Sequence, residues 1–226
     1  MTSDPFIVPQ WQGPPRVRAL FTTRAIDVPS DRLRAALPSD PVWLRQVHGA
    51  TCVDVERAQD DPPAADAAVT RTPGLPITVR TADCLPVLLA DRAGSVVGVA
   101  HAGWRGLAAG VLESALASLR VDAGDVVAWI GPAIGPAKFE VGPDVHEAYC
   151  ANDPSCAAHF TPLHEGKWLA DLPGLAKQRL ARAGVLHVDG GTWCTHTDAS
   201  RFHSYRREKG TGRMALVAWI DAGNLR

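Results

Sequence analysis

The chain has 226 residues, enough for one large domain with a substantial core, and is 46 % hydrophobic and 21 % charged. A formal net charge of −1 gives no whole-chain field for nucleic acid or a membrane surface, so any binding is local. No apolar run approaches the roughly 18–20 continuous residues of a membrane span, and five cysteines, an odd number, suit a reducing compartment better than a disulfide framework.

The opening MTSDPFIVPQW lacks the basic and apolar regions of a secretory signal, so a cytoplasmic location is expected. Short apolar pieces such as ALFTTRAI then alternate with Pro-rich turns. VWLRQVHGATCVDVE reads as two strands interrupted at His48 and Gly49, the second alternating with the period of a half-buried strand. After the loop DDPPAAD come the strands AAVT and ITVRTA, and then LPVLLAD, where Pro86 predicts an irregular start or an edge position. VVGVA reads as a buried strand. GLAAGVLESALASLR reads as one helix, with Leu107, Val111, Leu112, Ala115, Leu116 and Leu119 at helical spacing. VVAWIG is another buried strand, FEVG a short one, and a helix is predicted to begin near Pro143 and Asp144. WLADLPGLAKQRLARAG supplies a further helix ended by Gly184, and VLHVDGG and MALVAWI are the last apolar runs. Strand and helix alternate without a strict βαβ rhythm, which predicts an α/β fold with a mixed sheet or paired sheets flanked by helices.

Three potential metal ligands stand at breaks in β runs. His48 interrupts a strand pair, Cys84 follows ITVRTAD, and His101 ends VVGVA. Ligands converging from separate strand ends suit zinc in its catalytic form, with a fourth position left for water or substrate. The separations, 36 residues (48 to 84) and 17 (84 to 101), match no zinc-finger spacing, and a reading of the histidines as hydrogen-bonded core residues and of Cys84 as a small hydrophobe stays open. Next to His101, Gly103 and Gly106 let backbone approach a ligand, and Arg105 at the start of a helix offers a charge-assisted donor suited to phosphate. Trp104 reads as a packing residue ahead of a base-stacking surface, and Asp83 as a proton carrier, a hydrogen-bond partner behind the ligands, or a turn former. Cys150, Cys156, His159 and His164 form C-x5-C-x2-H-x4-H, wider than usual zinc spacing, on an expected helix end and loop. Cys194 and His196, in WCTHTD, read as pocket-lining or as packing and surface residues.

QVHG at 46–49, TADCLPVLLAD at 81–91, HAGWRG at 101–106, IGPAIG at 130–135, FEVG at 139–142 and SYRREKGTGRM at 204–214 together resemble the YfiH family, also called the multicopper polyphenol oxidoreductase or laccase-domain family. The resemblance runs from about residue 16 to the C-terminus and implies a single YfiH-like domain over 1–226, an α/β sandwich, with the first stretch of about 15 residues extended. It further implies a zinc site at His48, Cys84 and His101. The implied activity is phosphorolysis of adenosine, inosine, guanosine and methylthioadenosine, with adenosine deamination as a second reaction. Catalysis then falls to His48, Cys84, His101 and Asp83, and substrate contacts to Gln46, Arg105 and Arg206, the last preferred over Arg207. Purine nucleosides and phosphate are the expected partners. Family members often carry cysteine where this chain has Ala133, which puts a thiol role for that loop in doubt.

Three other readings compete. Copper could occupy the site, since it outcompetes zinc at most nitrogen and sulfur donors, but the eight histidines include no His-x-His pair of the kind a multicopper oxidase needs. A metal-free Cys84 and His101 hydrolase acting on a peptidoglycan precursor would need a free thiolate. A zinc-stabilised binding protein would unfold on chelation and show no turnover.

Overall fold

The computed structural model describes residues 4–223. In chain order its elements are β1 (Phe6–Ile7), β2 (Val17–Thr22), α1 (Asp31–Arg34), β3 (Cys52–Asp54), β4 (Ala67–Thr70), β5 (Ile77–Thr81), β6 (Leu85–Asp91), β7 (Val97–Ala102), α2 (Trp104–Ala108) and α3 (Val111–Leu119). There follow β8 (Val126–Ile130), β9 (Glu140–Val141), α4 (Pro143–Cys150), β10 (Phe160–His164), β11 (Lys167–Ala170), α5 (Leu172–Arg182), β12 (His187–Gly190) and β13 (Met214–Ile220).

A six-stranded sheet in the order β12-β8-β6-β7-β4-β3 is mixed: its outer pairs are parallel and its inner pairs antiparallel. Successive side chains of a strand point to opposite faces, and the apolar run of β6 uses both. Val87 and Leu89 pack with Leu112, Leu119 and Leu175 of α3 and α5. Leu88 and Ala90 pack with Phe21, Ile77, Val79 and Leu216 of a four-stranded antiparallel sheet, β1-β2-β13-β5. The outer face of that second sheet buries Leu20, Ala215 and Val217 against Ile26, Leu33 and Leu37. The result is the expected α/β sandwich flanked by helices, with a small third sheet, β10-β11-β9, beside it.

Three local expectations need correction. The first strand read in VWLRQVHG is irregular chain in which only Val42 pairs, through one bridge to Ile77. The amides a ladder would use go elsewhere, Arg45 N to Pro63 O and those of Val47, His48 and Gly49 to the Asp66 carboxylate. The single helix read over 106–120 is two, α2 and α3, because Gly110 adopts φ 96° and turns the chain between them. The apolar spacing survives because Leu107 ends up in the same core as the α3 face. Pro86 lies in a central strand, not at an edge. It sits before the β8 ladder begins at Val87, so its missing N–H removes no bond to β8, and its carbonyl accepts from Gly131 N.

Candidate active site

Strands β4, β7 and β6 are neighbours, and at one end of the sheet they bring Asp66, His101 and Cys84 together. Asp66 directly precedes β4, Cys84 directly precedes β6, and His101 lies in β7 opposite Pro86. His48 comes from the irregular chain before β3 and holds φ 60°, in the left-handed region. Asp66 makes that turn affordable to the fold: its carboxylate accepts from the amides of Val47 (3.1 Å), His48 (3.0 Å) and Gly49 (2.7 Å). The same carboxylate accepts from His101 Nδ1 at 2.8 Å, which turns Nε2 toward the site. One fully buried acid thus fixes both histidines.

The donor atoms of His48, Cys84 and His101 lie within 4.8 Å of one another, the one such group among the described residues. Donors this close would hold one ion among them. Two imidazoles and a thiolate, one imidazole backed by a carboxylate, are the donors of a three-ligand zinc site with an open fourth position, so the residues fit that metal. Burial pushes the Cys84 thiol up, but hydrogen bonds from His101 and His48 outweigh it and bring it down to about 6. Burial likewise lowers His101, and its bonds to Asp66 and Cys84 reverse this and raise it to about 9. The thiolate form that a metal needs is therefore already favoured at neutral pH. In zinc-stripped protein, the alkylation rate lost on Cys84→Ala is expected to rise with pH through a midpoint near 6 and then level off. A midpoint near the ordinary thiol value of 9.0 would contradict that arrangement.

Glycines clear the space around these groups. A Cβ on Gly103 would stand 2.9 Å from Cys84 Sγ, and one on Gly106 would stand 2.6 Å from the carbonyl oxygen of Gly49. HAGWRG and QVHG are in this way locked backbone against backbone.

The donors open into a cavity of about 590 Å³, within the range of small-molecule pockets. Its wall includes Gln46, Asp83, Phe139, Tyr205 and three arginines, Arg80, Arg206 and Arg213. Asp83, at φ 90°, is filled as an acceptor by Thr195 Oγ1 (2.5 Å), Ser204 Oγ (3.0 Å) and the Arg206 amide (2.7 Å). Those bonds fit a residue that ties the Cys84 turn to the C-terminal loop better than one that carries protons. Gln46 lines the cavity, yet both ends of its amide are engaged by the backbone of Arg80. Arg206 reaches the cavity, whereas Arg207 is spent on the carbonyls of Thr195, His196 and Phe202. Arg105 is not brought to this wall: it is exposed and lies 4.3 Å over the Trp104 ring, and α2 is only five residues long. Cys194 and His196 do not line the cavity either; the Cys194 thiol accepts from Gly135 N at 3.2 Å. In C-x5-C-x2-H-x4-H, Cys156 bonds to Asp153 and Gln178, and His159 faces Asp171. Asp66 and Arg80 went unread in the sequence, one inside an apparent loop and the other inside an alternating strand.

Comparison with known proteins places these features in a family. Residues 23–221 match the family model described as multi-copper polyphenol oxidoreductase laccase. The chain is 47 % identical over 242 residues to purine nucleoside phosphorylase YfiH of Escherichia coli, covering 95 % of this chain and 98 % of the relative. It is 41 % identical over 240 residues to a purine nucleoside phosphorylase of Pseudomonas aeruginosa, with 96 % and 98 % covered. Among solved structures, the Neisseria meningitidis protein NMB0706 superposes with a TM-score of 0.91 at 40 % identity, over 96 % of this chain and all of that one. YlmD from Geobacillus stearothermophilus gives 0.88 at 25 % identity, over 98 % of both.

Proposed function

The chain belongs to the YfiH-type family of the multi-copper polyphenol oxidoreductase laccase model, and from that premise we propose that it is a zinc-dependent purine nucleoside phosphorylase that also deaminates adenosine. The observation that carries the reading is a single cavity lined by the His48, Cys84 and His101 donor set and by three arginines, Arg80, Arg206 and Arg213. Relatives at up to 47 % identity named purine nucleoside phosphorylase support the reaction class. Adenosine, inosine, guanosine and methylthioadenosine are its proposed substrates, with phosphate as the second. A cytoplasmic location is part of the same proposal. Separately, no helix among the described residues is long and apolar enough to cross a membrane.

His48, Cys84 and His101 would hold the zinc, which when bound would supply Lewis acidity toward water. Asp66 accepts the hydrogen bond of His101 Nδ1, so Nε2 is the ring nitrogen that would give up its proton and ligate the metal. Phe139 and Tyr205 carry Arg206 and Arg213 against their rings at the cavity, an aromatic and cationic lining suited to a purine and to phosphate. In phosphorolysis an oxygen of hydrogen phosphate bonds to C1′ as the C1′–N9 bond breaks. N9 keeps the electron pair, the phosphate proton ends on the base, and ribose 1-phosphate leaves. In deamination, water adds its oxygen to C6 and the amino group departs as ammonia. Holding both partners in line supplies much of the rate in the first reaction.

Product analysis of purified, metal-assayed protein with adenosine tests this reading. With phosphate, adenine and ribose 1-phosphate are expected; without it, inosine and ammonia accumulate slowly, and later addition of phosphate converts the inosine to hypoxanthine. No purine product from zinc-loaded protein, together with oxygen uptake on a phenolic substrate, would replace this reading with the oxidase one.

A further inference from the structure

The three arginines of the cavity differ in what they already hold. Arg206 donates Nη1 to the Glu140 carbonyl at 2.9 Å and lies over the Phe139 ring. Arg213 donates Nη1 to the carbonyls of Thr211 (2.7 Å) and Gly212 (3.2 Å) and lies over Tyr205. Arg80 shares only the ring contact: among the described residues its guanidinium has no hydrogen bond and no ion pair, only the Trp43 ring at 5.9 Å.

Its backbone, in contrast, is fixed on both sides. Arg80 lies in β5 opposite Ala215 of β13. On the free edge, its amide donates to Gln46 Oε1 and its carbonyl accepts from Gln46 Nε2, both at 2.8 Å, so one side-chain amide stands in for a neighbouring strand. The side chain is half-buried and forms part of two cavity walls, the one shared with His48 and Cys84 and a smaller one lined by Trp43, Pro29 and Pro62. An aromatic face against the guanidinium leaves its N–H edge for a ligand. A planar fork on a rigid stem, partly out of water and with its donors unspent, is organised for an oxyanion.

We propose that Arg80 is the phosphate anchor of this site, with Gln46 as the positioning residue that fixes it. The proposal rests on the phosphorolysis reading for its substrate, and takes the role that the sequence assigned to Arg105. The anchored oxyanion would face the cavity that also holds the His48, Cys84 and His101 donors.

The test compares Arg80→Met, which keeps the stem against Trp43 and removes the charge, with Arg80→Lys and Arg105→Met. Two readouts are taken: the rise in melting temperature on adding inorganic phosphate without nucleoside, and KM for phosphate against KM for adenosine. In Arg80→Met the phosphate-induced rise should vanish, and KM for phosphate should climb on the order of ten- to a hundredfold, the weight of a charge-assisted contact, well beyond any change in KM for adenosine. Arg80→Lys should recover part of both, and Arg105→Met should match the wild type. Retention of both by Arg80→Met, or their loss in Arg105→Met instead, overturns the assignment. A phosphate-induced rise that depends on Arg80 in a protein forming no ribose 1-phosphate would sustain the anchor and sink the phosphorolysis reading alone.

Discussion

Cys84→Ala is expected to take metal content from close to one zinc per chain to near none, and both purine activities with it. Cys84 is the thiol of the donor set, brought to about 6 between two imidazoles, so its removal leaves two neutral donors and no anionic one. Losing a partner that only supports a ligand costs about 10- to 100-fold in metal affinity, and losing the ligand itself should exceed the upper end of that range. Cys84 is half-buried at a strand start, so the fold should survive and allow metal analysis of a folded variant. Full zinc in Cys84→Ala with loss in Cys150→Ala would move the site to the C-x5-C-x2-H-x4-H segment.

Asp66→Ala should be the most damaging single change to stability among the site residues. The carboxylate is fully buried and accepts from three consecutive amides and from His101, so its loss strands four donors. Breaking a buried charge pair by removing one partner costs about 3–5 kcal/mol. Burial pushes the Asp66 carboxyl up, and the bonds from His101, Gly49 and Val47 more than reverse it, leaving it below its ordinary 3.8. A carboxylate held down in this way stabilises the fold above its ordinary pKa and loses that effect as pH falls through its lowered value. The gap in unfolding free energy between wild type and Asp66→Ala, measured in urea, should therefore be full at neutral pH and narrow only in strong acid. A cost under about 1 kcal/mol, the size of one ordinary hydrogen bond, would show that the amides find other acceptors and that Asp66 does not organise the turn.

The convergence of Cys84 and His101 is legible because one precedes an apolar run and the other closes the next, and in the antiparallel pair β6 and β7 a strand start and a strand end share one end of the sheet; His48 joins them from irregular chain. Asp66 is not legible, since its partners are amides 17–19 residues away and a side-chain-to-amide contact leaves no periodicity. Arg105 misled for a local reason. HAGWRG looks like an anion-binding helix start, but α2 lasts five residues and Trp104 takes the guanidinium. Arg80 was hidden by the opposite effect: ITVRTA satisfies the strand pattern so well that its one outward cation reads as ordinary surface. The break at Gly110 is not legible, because the apolar positions on its two sides continue at helical spacing while the axis turns.

The locking of QVHG against HAGWRG, with Cys84 arriving from the start of β6, also governs when the donors first meet. In an extended chain they lie 36 and 17 residues apart, so no short stretch offers a chelate, and closing both loops costs entropy before any metal bond forms. Zinc fingers differ, because their ligands are close in sequence and the ion drives folding. Here two apolar sheets and a helical layer bury the core without help from a metal. An ion at this site would be a late guest of a finished scaffold, and binding to the native state alone would oppose unfolding by mass action. A chelator should accordingly lower the melting temperature by the ion's binding energy and leave a cooperative, folded protein behind.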